Sequence, residues 1–95
     1  MEDLVPAEFY LSQNRPNPFR DRTTIKFCVP EEIRIKLEIS NSKEEKIKTL
    51  VDEIKEPGTY HVEFNPNELK EGIYFYTMTA GRFSMSKKML CLTVV

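Results

Sequence analysis

Catalysis or metal binding needs His, Cys, Ser and carboxylate groups that can converge, so these residues come first. The single histidine, His61, stands in Tyr60-His61-Val62-Glu63-Phe64, on the polar side of an alternating apolar run, and no spacing brings a nucleophile beside it. Cys28 and Cys91 fit neither a CxxC redox pair nor a metal-ligand spacing, and two cysteines with one histidine fall short of a structural zinc site. Cys28 lies on the side of its run that carries Thr24 and Lys26, so it need not face a core, and disulfide pairing with Cys91 stays open. The three glycines, Gly58, Gly72 and Gly81, sit at turns or strand boundaries and form no phosphate-cradling loop. The carboxylates are scattered over outward positions. Tyr60, Tyr74 and Tyr76 could stack on carbohydrate or fill a core. Lys87-Lys88 puts charge in the middle of a run that is otherwise prone to burial, as edge protection or as a handle for a partner. The expectation is a non-catalytic module, with no metal and no cofactor, that is recognised or that connects.

Bulk properties agree with a module. Ninety-five residues make one small domain. With 31% charged and 40% hydrophobic residues the chain has an ordinary globular composition, and no apolar run approaches the roughly 18 residues of a membrane span, so no membrane insertion is expected. The net charge of −1 conceals blocks. Arg15, Arg20, Arg22 and Lys26 stand against Asp21 alone, and Arg82, Lys87 and Lys88 against no acid. Neither block is interleaved with aromatics as a nucleic-acid surface would be, so nucleic acid is not expected as a partner. Met1-Glu2-Asp3 opens no apolar segment of the signal-peptide type, which predicts a cytoplasmic chain or a piece of a larger protein.

The elements that would position these groups are strands. Residues 72–92 read as a long β-hairpin about Ala80-Gly81, with Gly81 free to take positive φ, and the hairpin is expected at the centre of a sheet. Ile73, Phe75 and Thr77 alternate with Tyr74, Tyr76 and Met78, which predicts a first strand covered on both faces. Phe9-Tyr10-Leu11 could open another strand. In Asn14-Arg15-Pro16-Asn17-Pro18-Phe19 the prolines make a stiff bend, Phe19 is expected to plug the core, and Asn14 and Asn17 to cap backbone groups. Residues 23–29 and 33–40 alternate cleanly, with Ile25, Phe27, Val29, Ile33, Ile35, Leu37 and Ile39 inward. Residues 41–55 are ambiguous. Ile47, Leu50, Val51 and Ile54 have helical spacing behind a Ser42/Glu45 capping box, whereas Ile47 and Thr49 alternate with Lys46 and Lys48 as in a strand. Glu56-Pro57-Gly58-Thr59 reads as a turn with positive φ at Gly58, followed by a strand from Tyr60 to Phe64 that Asn65-Pro66-Asn67 closes.

Taken together, Leu11-Ser12-Gln13-Asn14-Arg15-Pro16-Asn17-Pro18-Phe19, Thr23-Thr24-Ile25-Lys26-Phe27, Thr49-Leu50-Val51-Asp52, Pro57-Gly58-Thr59-Tyr60-His61-Val62, Gly72-Ile73-Tyr74-Phe75-Tyr76, Ala80-Gly81-Arg82-Phe83 and Lys87-Lys88-Met89 resemble the C-terminal sorting domains of cargo of the type IX (Por) secretion system. The resemblance covers almost the whole chain. It implies an all-β, immunoglobulin-like antiparallel β-sandwich of about seven strands, similar to the Ig-like domain of the flagellar hook-capping protein, over residues 9–95, with residues 1–8 as a linker. It also sides with a strand at residues 46–51. Where the family has glycine in the turn after its third strand this chain has Ser42-Lys43-Glu44-Glu45, so a non-glycine residue carries positive φ there or the turn is rebuilt.

Functionally, the resemblance implies a domain at the extreme C-terminus of a secreted protein of a Bacteroidetes-type bacterium, carrying its N-terminal cargo through the periplasm to the cell surface. An outer-membrane translocon would read it, and a sortase-like peptidase would remove it at or before residues 1–8 and attach the cargo to surface lipopolysaccharide. Pro57, Gly58, Tyr60, Gly72, Tyr74, Lys87 and Lys88 are the implied recognition residues, and the last strand could also pair two copies as a dimer. The alternative is an Ig-like accessory module of a secreted enzyme, connecting or binding carbohydrate. Exposed, coplanar tyrosines would favour that alternative; buried tyrosines beside exposed Lys87 and Lys88 would favour sorting.

Overall fold

The computed structural model describes residues 6–66 and 69–92. Within them the alternating runs become strands: β1 (Tyr10–Leu11), β2 (Thr23–Val29), β3 (Ile33–Asn41), β4 (Lys46–Lys55), β5 (Gly58–Phe64), β6 (Gly72–Ala80) and β7 (Phe83–Cys91). All pairings are antiparallel, in a three-stranded sheet of order β1-β2-β5 and a four-stranded sheet of order β4-β3-β6-β7. Two such sheets, each with one apolar face, bury those faces against each other. The chain is an all-β sandwich of the immunoglobulin-like layout. Residues 1–5 of the linker expected at residues 1–8, the charge at Glu68, the closing Asn67 and the tail Thr93-Val94-Val95 lie outside the described residues.

The core follows the period of two. Ile25, Phe27 and Val29 of β2, Ile35, Leu37 and Ile39 of β3, and Tyr76 and Met78 of β6 are all at most 1% exposed. Phe19 plugs the space between the sheets as expected, its ring 6.2 Å from that of Phe64. β6 is central but only half covered. Tyr74, Tyr76 and Met78 point inward, whereas Ile73 remains 46% exposed and Phe75, Thr77 and Thr79 are half-buried, because among the described residues no layer packs on the outer face of that sheet. Its hairpin partner β7 is an edge strand, not a central one. Gly81 takes φ 58° in the two-residue turn between them, and a Cβ there would come within 3.1 Å of Ile33 Cδ1.

Residues 46–55 form a strand throughout, which resolves the helix-or-strand ambiguity. β3 has an open edge that must be paired, and pairing outweighs local periodicity. In the β3–β4 register Leu37 opposes Val51, Glu38 opposes Thr49 and Ser40 opposes Lys46, leaving Leu50 and Ile47 unopposed as two bulges. The turn before β4 uses no Ser42/Glu45 box. Asn41 Oδ1 accepts hydrogen bonds from the Lys43 and Glu45 backbone N–H groups, and Glu44 carries the positive φ of 65°. A second expectation fails at Gly58. Its φ is not positive; Pro57 makes the bend, and Gly58 is already the first residue of β5.

Candidate functional site

Each implied recognition residue has a definite place. Pro57 is exposed in the crossover from β4 to β5. A Cβ on Gly58 would meet the Tyr60 ring at 3.6–3.7 Å, an ordinary contact. Tyr60 stacks on Phe27 with ring centroids 5.3 Å apart, its hydroxyl donates to the Glu56 carbonyl at 2.6 Å, and Lys55 Nζ lies 4.9 Å from its ring centre. Tyr74, next but one after Gly72, is buried, and its hydroxyl donates back to the Lys70 carbonyl at 2.7 Å. This is the tyrosine-corner arrangement, which ties the loop entering a strand to the strand itself. Tyr60 and Tyr74 thus each lock a crossover between the sheets. Tyr76 is fully buried and donates to the Ser12 carbonyl at 2.5 Å. No two of these tyrosines form an exposed platform.

Lys87 and Lys88 sit on β7, opposite Tyr76 and Phe75. Lys88 is exposed on the outer face; Lys87 is half-buried on the side facing the other sheet. An inward-facing lysine on an edge strand obstructs edge-to-edge pairing. The two lysines do not meet the Pro57-Gly58-Tyr60 group. β5 runs along the side occupied by β4, where Lys48 reaches over Phe64 and Lys55 over Tyr60, whereas β7 runs on the β1 side. The seven residues therefore do not form one site.

What sequence reading missed is the clip along β7. The Gln13 side-chain amide donates to the Lys88 carbonyl at 2.7 Å, and Asn17 Oδ1 accepts from the Leu90 N–H at 2.9 Å. The Phe19 N–H donates to the Leu90 carbonyl at 3.0 Å, and its carbonyl accepts from the Leu92 N–H at 2.8 Å. The clip is itself fastened by a buried polar pair, Asn14 Nδ2 donating to Thr23 Oγ1 at 3.0 Å and that hydroxyl donating to the Pro16 carbonyl at 2.8 Å. The peptide bonds Arg15-Pro16 and Asn17-Pro18 within it are cis. Outward ladder groups alternate along an antiparallel edge strand, so the pattern that leaves Lys88 and Leu90 facing the clip leaves Ser84 and Ser86 facing outward too. Among the described residues nothing from the chain pairs with the backbone there. Asparagines flanking prolines were the only signal of the clip, and they named the caps but not the strand they cap.

Among the described residues no nucleophile, base and carboxylate converge as a reaction centre. His61 shares a shallow groove with Ser12, but Ser12 Oγ accepts from the Lys26 backbone N–H, and no carboxylate lines the groove. Both cysteines are free: Cys28 is half-buried beside Thr59 on the outer face of its sheet, and Cys91 is buried between the sheets. Burial pushes the Cys91 thiol up, with the Glu71 charge adding to the effect, so it is held as the unreactive thiol. Burial likewise pushes the Tyr76 phenol up to about 12, against a smaller opposing effect of a backbone hydrogen bond from Asn14. No group of three or more His, Cys, Asp or Glu side chains among the described residues could hold a metal ion.

Residues 15–91 match the family described as the secretion system C-terminal sorting domain. The chain matches no curated protein and no solved structure.

Proposed function

Given that the chain belongs to the secretion system C-terminal sorting domain family, the sorting signals of type IX secretion, we propose that its export machinery reads the free half of β7. The family is one of sorting signals and not of catalysts; it carries a larger protein to the cell surface or beyond and interacts with the type IX machinery. The observation that carries the finer reading is the asymmetry of β7. Its C-terminal half is closed by the clip, while Ser84 and Ser86 keep outward backbone groups next to exposed Lys88. A partner strand of three or four residues could add there, with backbone bonds giving affinity and Lys88 giving charge.

In this reading Lys87 and Lys88 are the contact residues, and Pro57, Gly58, Tyr60, Gly72 and Tyr74 contribute by holding the crossovers that fix the shape presented. The reader is an outer-membrane translocon reached through the periplasm. A sortase-like peptidase then cuts at or before residues 1–8, with residues 9–95 as the folded signal. A dimer through the last strand would compete for the same short free segment. The carbohydrate-module alternative gains nothing from Tyr60, Tyr74 and Tyr76, which are buried or stacked.

The test is surface display, in a type IX-competent host, of a fluorescent reporter with a signal peptide fused ahead of residues 2–95. Ser86→Pro removes an outward N–H from the edge, and Lys87→Ala with Lys88→Ala removes the charge. We expect each to cut display severalfold while the fusion stays folded. Display at wild-type level in both would place recognition elsewhere on the domain.

A further inference from the structure

We propose that the outer face of the β1-β2-β5 sheet carries a binding groove for an anionic sugar, a uronate or a sugar phosphate. The groove adjoins the β7 edge at Gln13, whose side chain reaches the Lys88 carbonyl, but the inference does not rest on how the export machinery reads the domain. It is lined by Tyr10, Ser12, Gln13, Arg15, Thr24, Lys26 and His61, drawn from β1, the segment after it, β2 and β5. Main-chain pairs fix its walls. The Ser12 N–H donates to the Lys26 carbonyl at 2.9 Å, Arg15 and Thr24 exchange backbone hydrogen bonds at 2.9 and 2.8 Å, and Lys26 stands opposite His61 in the β2–β5 register.

The lining has one sign of charge. Neither Arg15 nor Lys26 has a carboxylate within ion-pair distance among the described residues, and Glu63, on the same face opposite Thr24, is engaged by Arg22 at 3.7 Å. In a chain of net charge −1, two cations with no carboxylate partner among the described residues concentrate positive potential around one groove. The Arg15 guanidinium presents a planar fork that suits carboxylate or phosphate oxygens, with the Lys26 ammonium as a second point charge. The remaining lining suits the rest of a sugar. The Ser12 and Thr24 hydroxyls can exchange hydrogen bonds with ring hydroxyls, and Tyr10, 49% exposed, is an aromatic face that has not been absorbed into the core.

The test is a titration of the 15N-labelled chain followed by amide shifts, with glucuronate, glucose 6-phosphate, glucose and inorganic phosphate as probes. We expect saturable shifts at Tyr10, Arg15, Lys26 and His61 with one or both charged sugars, the stronger of the two identifying the oxyanion. Glucose and inorganic phosphate should each bind about tenfold more weakly or not at all, since each lacks one half of the recognition. Arg15→Gln and Tyr10→Ala, both at exposed side chains, should each weaken the charged sugar about tenfold with the rest of the spectrum unchanged. Shifts that do not saturate, shifts centred elsewhere, or inorganic phosphate binding as tightly as the sugars would overturn the proposal. So would variants that bind as the wild type does.

Discussion

Tyr76 carries two loads with one hydroxyl. It fills the centre of the core, and its bond to the Ser12 carbonyl ties the N-terminal segment to β6. Tyr76→Phe leaves that carbonyl without its donor and should cost about 1 kcal/mol at neutral pH in urea unfolding. The same residue makes stability depend on pH. Its phenol is raised to about 12 when folded, whereas a tyrosine in the unfolded chain ionises near 10. The unfolded state therefore gives up a proton that the folded state keeps, and the stability present below about pH 10 is lost as pH rises toward 12, at up to about 1.4 kcal/mol per unit. Stability curves of wild type and Tyr76→Phe should converge within that window and then cross; parallel curves would show that the phenol is not desolvated. Glu44 is the other informative residue. A non-glycine side chain at positive φ costs roughly 1–2 kcal/mol, offset in a glycine variant by roughly 0.5–1 kcal/mol of extra unfolded-state freedom. Glu44→Gly should thus raise stability by up to about 1 kcal/mol, and Glu44→Val should lower it by a similar amount. A loss with glycine would mean that the Asn41 turn, not the dihedral, limits this hairpin.

Among the elements, β4 and β7 mark where the sequence is hard to read. β2, β3 and β5 announce themselves because each alternates without interruption, and their inward residues are those expected. β4 does not, for a physical reason. Its bulges at Ile47 and Leu50 shift the phase of a period-two pattern twice, and the shifted pattern imitates the i, i+3, i+4, i+7 spacing of a helix. Only Val51 of that apolar set is buried; Ile47 and Ile54 are 39% and 59% exposed. Pro57-Gly58 misled in a smaller way, since a proline followed by glycine suggests a type II turn where the chain only bends between sheets. For β7 the composition was legible and the neighbourhood was not. Its clip is made by residues more than 70 positions away, a separation at which no local pattern exists. The clip predicts a local measurement. Asn17→Ala removes the acceptor for the Leu90 N–H, so hydrogen exchange at Leu90 should speed up by about tenfold or more while amides of β3 keep their protection. Unchanged exchange at Leu90 would mean that the Phe19 backbone bonds alone hold the segment.

At the scale of the molecule, the sandwich explains why a sorting signal would take this form. Four strands form the edges of the two sheets, β1 and β5 in one and β4 and β7 in the other. β1 is only two residues long, β4 is bulged and carries Lys46, Lys48 and Lys55, and Lys48 and Lys55 lie across the side where β4 approaches β5. β7 is closed along its C-terminal half by the clip and open at its start, where exposed Lys88 stands beside the outward groups of Ser84 and Ser86. The candidate site was legible in part: Lys87 and Lys88 could be singled out as charge in an apolar strand, but their separation from Pro57, Gly58 and Tyr60 depends on sheet order, which no spacing encodes. The most direct test of the sorting role compares the signal-peptide reporter with and without residues 2–95 at its C-terminus, in a type IX-competent host and in the same host lacking the secretion system. The account predicts reporter at the surface or in the medium only when the domain and the system are both present. Folded reporter held in the cell, whether or not it carries the domain, would contradict it.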